Sequence, residues 1–109
     1  MAFPEATHLQ LYVLRILMDG EQSGRFVRER LADEGQPKTG PAFYQLMARL
    51  EESGLIEGWY NQKVVEGQII KERWYCVTAA GERVWSEAAD FYAERRRGKT
   101  KARGGLARA

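Results

Sequence analysis

Apolar positions along the chain recur three times at helical spacing, then switch to alternation, then return to a helical stripe. In residues 5–18, EATHLQLYVLRILM, the residues Leu9, Val13, Ile16 and Leu17 predict a first helix, and Asp19-Gly20 supplies its stop. Ser23 offers an N-cap for a second, shorter helix in GRFVRERLADE. There Phe26, Val27 and Leu31 are expected to turn inward, Arg25, Arg28, Glu29 and Asp33 to stay in water, and Gly35 to take the left-handed position at the end. After the connection Gly35-Gln36-Pro37-Lys38, Thr39 can cap a third helix and Pro41 fits its first turn, where a missing N–H costs little. Phe43, Leu46, Met47 and Leu50 then fall at i, i+3, i+4 and i+7, and Gly54 ends the helix ahead of Leu55-Ile56.

From Leu55 to Lys63, and again from Gln68 to Val77, the residues shift towards Ile, Val, Trp and Tyr around a turn region at Val64 to Gly67, which predicts a β-hairpin. Alternation places Arg73, Tyr75 and Val77 on one face and Glu72, Trp74 and Cys76 on the other, and the pattern does not choose between them. Thr78 caps a last helix, AAGERVWSEAADFYAERR, whose stripe Val84, Trp85, Ala88, Phe91 and Tyr92 is broad for so short a segment. The expected fold class is α+β, mostly α: three helices and a two-stranded β-hairpin, in the order of a winged helix-turn-helix, plus one C-terminal helix.

Charge changes this picture at one end. The net charge of +2 conceals a split: from residue 93 seven basic residues face one acid, a local +6, which leaves −4 on residues 1–92. The expectation is a folded domain over 1–92 and a basic, solvated tail over 93–109 suited to phosphates or another anionic surface. A chain of 109 residues suits one small core and one main surface, with no large enclosed active site. The single cysteine, Cys76, excludes an intramolecular disulfide and a multi-cysteine zinc site, and the N-terminus has no basic stretch followed by a long apolar run. The cytoplasm is the expected location. His8, the single histidine, has neither an orienting partner nor a nucleophile nearby and reads as a surface residue, and no metal or cofactor motif appears. The sequence does not suggest an enzyme.

In a winged helix-turn-helix the second helix of the pair enters the DNA major groove by its N-terminal end while the hairpin follows the backbone. Outside the buried stripe of the third helix lie Lys38, Thr39, Gly40, Pro41, Tyr44, Gln45 and Arg49. Gln45 can pair bidentately with adenine, Arg49 can reach a phosphate, and the N–H groups near Thr39 and Gly40 suit a phosphate oxygen. In the wing the candidates are Lys63, Lys71 and Arg73, with Asn61, Gln62 and Gln68 beside them. Glu57, Glu66 and Glu72 sit among these, and from Gly35 to Tyr75 five bases and five acids cancel, so a basic face requires spatial segregation or the tail.

TGPAFYQLMARLEESGLIEGWY resembles the PadR family of bacterial transcriptional regulators. In that family the third helix shows an aliphatic-Tyr pair, Arg-Leu-Glu and a Gly-Leu-Ile exit, matched here by Phe43-Tyr44, Arg49-Leu50-Glu51 and Gly54-Leu55-Ile56. RWYCVTAAGERVW is similar to the family's Tyr-Tyr-x-Leu-Thr-x-x-Gly segment through Trp74, Tyr75, Val77, Thr78 and Gly81, and the likeness runs from residue 9 to about 92. Two places depart from it: Gly24 is followed by Arg25 with Phe26 one place on, and the frequent Pro-Gly-Thr appears as Gly40-Pro41-Ala42. The resemblance implies a homodimer on double-stranded DNA at a pseudo-palindromic operator, usually as a repressor, with the last helix packed against its counterpart through Val84, Trp85, Ala88, Phe91 and Tyr92. It also implies a small aromatic effector near that interface, for which Trp85, Phe91 and Tyr92 are candidate lining residues and plain packing the alternative. A winged-helix protein-interaction module without sequence-specific DNA binding is the competing expectation.

Overall fold

The computed structural model describes the backbone of residues 6–108 and the side chains of residues 6–96. Helix α1 (His8–Met18) starts where Thr7 and Gln10 cap each other, the Gln10 N–H donating to the Thr7 hydroxyl and the Thr7 N–H to the Gln10 side-chain carbonyl. It buries Leu11, Val13, Leu14, Ile16 and Leu17, a wider stripe than the spacing of Leu9, Val13, Ile16 and Leu17 suggests, because α1 is covered on two sides. Leu9 is only partly buried against the core.

Strand β1 (Gln22–Ser23) is absent from the sequence reading, since two residues carry no periodicity. It leads into α2 (Gly24–Asp33), capped by the Ser23 hydroxyl accepting from the Phe26 N–H at 3.1 Å. Val27 and Leu31 are buried as expected, but Phe26 is 39% exposed. The inward face of α2 is centred on Val27 and Leu31, one turn apart, and Phe26 is rotated off it. Helix α3 (Gly40–Glu52) has the expected Thr39 cap, Pro41 in its first turn, and Phe43, Leu46, Met47 and Leu50 as its buried stripe.

Strands β2 (Ile56–Val65) and β3 (Gln68–Val77) form the hairpin; β2 runs two residues closer to the tip than the residue types suggest, and β3 has the expected bounds. The two-residue turn Glu66-Gly67 has φ of 51° and 77°, positive at both central positions, the handedness that matches the twist of antiparallel strands. Strand β1 adds to the other edge of β3, giving the order β1-β3-β2. Ile56 pairs with Val77, Gly58 with Tyr75, Tyr60 with Arg73, Gln62 with Lys71 and Val64 with Ile69, and these pairs share one face. Tyr75 is 2% exposed, so this is the face turned to the helices. Trp59 and Trp74, Asn61 and Glu72, and Lys63 and Ile70 share the other.

Helix α4 (Ala79–Arg108) lies against α1. The boundary at residue 93 expected from charge falls inside this helix. Its start is fixed by three bonds: the Thr78 hydroxyl donates to the Gly54 carbonyl at 2.6 Å, its oxygen accepts from the Gly81 N–H at 3.1 Å, and the Thr78 N–H donates to the Leu55 carbonyl at 3.1 Å. Gly81 packs directly on this junction, where a Cβ would collide with the Leu55 carbonyl and press on Val77. Gly81→Ala is therefore expected to lose about 1–3 kcal/mol or more in a urea titration, as overpacking of a backbone contact does. A loss below a few tenths, the range of a harmless surface change, would show that α4 does not seat here.

Candidate nucleic-acid interface

The outer face of α3 is framed on both sides. Towards the wing, a shallow groove of about 250 Å³ lies between α2, the start of α3 and the hairpin, with Arg25, Arg28, Gly40, Tyr44, Lys71 and Arg73 around it. On the other side, a depression of about 210 Å³ brings Lys38, Gln45 and Arg49 beside the capped start of α1. The third-helix candidates are thus all at the surface but divide into two sets: Tyr44 turns towards the wing, Gln45 and Arg49 towards α1. Tyr44 is 64% exposed and touches Phe43 edge-on at 6.2 Å.

Local chemistry makes the start of α3 a donor site. The Thr39 hydroxyl accepts from the Ala42 N–H at 3.3 Å and Pro41 has no N–H, which leaves the Gly40 N–H as the first-turn donor for an anion. Arg28 donates from Nε to the Lys38 carbonyl at 2.9 Å, and its guanidinium comes 4.0 Å from where a Gly40 Cβ would stand. Arg25 and Arg28 thus join the basic rim. From spacing alone both are wet residues of the second helix. Their i, i+3 spacing placed them on one face, but only the packing of α2 beside the hairpin shows what that face adjoins.

The wing candidates separate. Lys71 lies with Gln62 on the face shared with Tyr75, and Lys63 lies with Asn61 on the opposite face. Arg73 departs from the expectation of a free phosphate contact. Its guanidinium donates to both oxygens of Glu51 at 2.9 and 3.0 Å, and lies over the rings of Tyr60 at 4.9 Å and Tyr75 at 5.7 Å. Glu51, near the end of α3, is the other half of this pair. The two side chains are 26% and 28% exposed, partly withdrawn from water, where such a pair is stronger than at an open surface. Burial works against the Arg73 charge, but the hydrogen bonds and charge of Glu51 outweigh it and hold the guanidinium above its ordinary value. Gly58 makes room, since a Cβ there would strike the Glu51 carboxylate.

On the last helix, Val84 and Ala88 belong to this chain's own core and Phe91 is also buried, whereas Trp85 is half-buried and Tyr92 exposed. Trp85 and Tyr92, with His8, Leu11 and Tyr12, line an open, mainly apolar groove of about 380 Å³ between α1 and α4, bordered by Arg15 and Arg96. His8 belongs to this cluster, edge-on to Tyr92 at 5.9 Å and to Tyr12 at 6.3 Å. Cys76 is half-buried, and burial, then the charges of Glu57 and Glu21, push its thiol up, the opposite of what a reactive thiolate requires. Among the described residues no group of three or more His, Cys, Asp or Glu could hold a metal ion, and no helix is long and apolar enough to cross a membrane.

No family model matches the chain, and no curated protein matches it in sequence. Solved structures match it in fold. A PadR family transcription regulator from Clostridium difficile superposes with a TM-score of 0.71 at 15% identity, over 89% of this chain and 97% of the other. A PadR-like transcription factor from Bacteroides fragilis gives 0.69 at 16% identity over 86% and 88%. A PadR family transcriptional regulator from Eggerthella lenta gives 0.58 at 26% identity over 83% and 79%. The fold is the PadR-like winged helix, mostly helical with a small three-stranded antiparallel sheet.

The Glu51–Arg73 pair anchors the wing to α3, so Glu51→Gln should keep the fold and lose about 1–2 kcal/mol. Amide exchange around Tyr60 and Arg73 should accelerate in the same variant while α1 keeps its protection. Equal exchange in wild type and variant would mean that the wing is held by its ladder and apolar base alone.

Proposed function

We propose that this chain is a sequence-specific DNA-binding transcriptional regulator, a repressor that binds a pseudo-palindromic operator as a homodimer. The observation that carries this reading is the basic, donor-rich surround of the exposed start of α3: Arg25 and Arg28 from α2, Lys38 before the helix, and Lys71 from the wing. Acidic residues that cancel the charge in the sequence are partly neutralised, since Glu51 is bound to Arg73 between α3 and the wing. The PadR-like fold supports the same reading.

In this arrangement α3 enters the major groove with Thr39, Gly40, Tyr44 and Gln45 foremost. Gln45 offers a paired donor and acceptor for an adenine edge, Lys38 and Arg49 meet phosphates on the α1 side, and the Gly40 N–H meets one at the helix start. Lys71 and Lys63 follow the backbone from the wing. Arg73 fixes the angle between reader and wing and contacts no DNA itself. The dimer contact centres on Trp85 and Tyr92, the members of the last-helix stripe that the chain's own core leaves accessible, and the groove between α1 and α4 is where a small aromatic effector would sit. An apolar wing tip, with Val64 and Ile69 exposed, favours the second reading, a winged-helix module that binds protein.

Selection of bound sequences from a random duplex pool at two salt concentrations separates the readings, because recovery of a palindromic motif requires both base recognition and two-fold symmetry. No enrichment at either salt would leave the protein-binding module. On the recovered operator, Gln45→Ala should cost about 1–3 kcal/mol and relax one position. Lys38→Ala should weaken all sequences alike and flatten the salt dependence by about 0.9 per protomer. Undiminished binding in both variants would remove α3 as the reader. The dimer contact is tested separately: Tyr92→Asp should shift sedimentation equilibrium from dimer to monomer, and an unchanged dimer would place the interface elsewhere.

A further inference from the structure

Two basic residues, one on α2 and one on the wing, converge on one acid. Arg25 of α2 and Lys63 of β2 both contact the same oxygen of Glu72, Oε1, at 2.9 and 3.0 Å. The two cations are largely in water, whereas the Glu72 side chain is 15% exposed and seated between them. The Lys63 hydrogen bond, opposed by partial burial and reinforced by the charges of Lys63 and Arg25, holds the Glu72 carboxyl below the usual carboxylate range. A guanidinium and an ammonium directed at a single anionic oxygen is the geometry that grips a phosphate oxygen, and Glu72 is the anion in that place. Arg25 and Glu72 also border the groove between α2, α3 and the wing.

We propose that Arg25 and Lys63 form a phosphate site for the DNA backbone that bridges α2 and the wing, and that Glu72 occupies this site in the free protein as a built-in competitor. The inference rests on the DNA-binding reading above and adds a residue pair and a restraint to it. Exposed ion pairs are weak, so a backbone phosphate can draw both cations off Glu72. The carboxylate stays behind, close to the incoming phosphate, and repels it. Glu72 thereby lowers the net positive charge offered to DNA of any sequence, while the base contacts of α3 lie apart from it. A carboxylate that merely ties α2 to the wing has the opposite consequence, since its removal would loosen the interface and weaken binding.

The test uses the full chain as wild type, Glu72→Gln, Arg25→Ala and the double variant, titrated on a selected operator and on a random duplex between about 50 and 200 mM salt. Glu72→Gln should bind both duplexes on the order of tenfold more tightly at low salt, with a salt slope steeper by about 0.9 per protomer for one added phosphate contact. Arg25→Ala should weaken binding by the wild type, and by more in the Glu72→Gln background, where it should remove most of the gain. Equal or weaker binding by Glu72→Gln at an unchanged slope overturns the competitor and leaves the DNA-binding reading standing. Absence of binding by wild type and every variant overturns both. One measurement needs no variant: the side-chain carboxyl carbon resonance of Glu72 should move when duplex is added to the wild type, and an unmoved resonance overturns the proposal.

Discussion

Three hydrogen bonds at the exit of α3, two between backbone groups and one from a side-chain hydroxyl, hold the architecture together. Gly54, at φ 74°, turns the chain so that the Leu55 N–H returns to the Leu50 carbonyl at 3.0 Å, and the two carbonyls thus presented, of Gly54 and Leu55, are both taken by Thr78. A residue with a Cβ pays strain in that left-handed turn, which is why glycine stands there. Gly54, Leu55 and Thr78 therefore form one junction between the end of α3, both feet of the hairpin and the start of α4. The core grows outward from it, with Leu55, Ile56 and Val84 buried around the junction and Leu50 and Tyr75 beside them.

This junction explains why the short stretches that carry the family likeness are the ones they are. Gly54-Leu55-Ile56 and Thr78-x-x-Gly81 lie far apart in the chain, yet each supplies half of one contact, donor side chain to acceptor backbone, with Gly81 leaving the space that the Leu55 carbonyl fills. The start of α3 has no such structural partner. Gly40-Pro41-Ala42 departs from the family pattern at a place where the side chains face outward, and the helix still forms because Thr39 caps it.

What was legible in the sequence was whatever a local rule decides. Caps at Ser23 and Thr39, the stripe of α3 and the existence of the hairpin follow from spacing and residue type within a dozen positions. Long-range partnership was not legible. Arg73 looks like a free wing cation because Glu51 is 22 residues away, and Arg25 looks idle because Glu72 is 47 residues away. Strand β1 exists only because β3 offers it an edge, and the α4 stripe reads as surplus until α1 is seen to cover Val84 and Ala88. For the candidate interface, the sequence identified the outward residues of α3, but the division of Tyr44 from Gln45 and Arg49, and the entry of α2 into the basic rim, depend on tertiary packing.

The hairpin turn has a consequence for how this surface can vary. Glu66-Gly67 closes β2 and β3 with no slack, and ten consecutive residue pairs run from Ile56 with Val77 to Val65 with Gln68. Side chains alternate between the two faces, so inserting or deleting one residue in either strand would send every position beyond it to the opposite face. Lys71 would leave the side of Tyr75 and α3, and Lys63 would enter it. Length variation in this wing is thus restricted to even steps, or to bulges that absorb the odd residue, and its two charge patterns can evolve independently only by substitution.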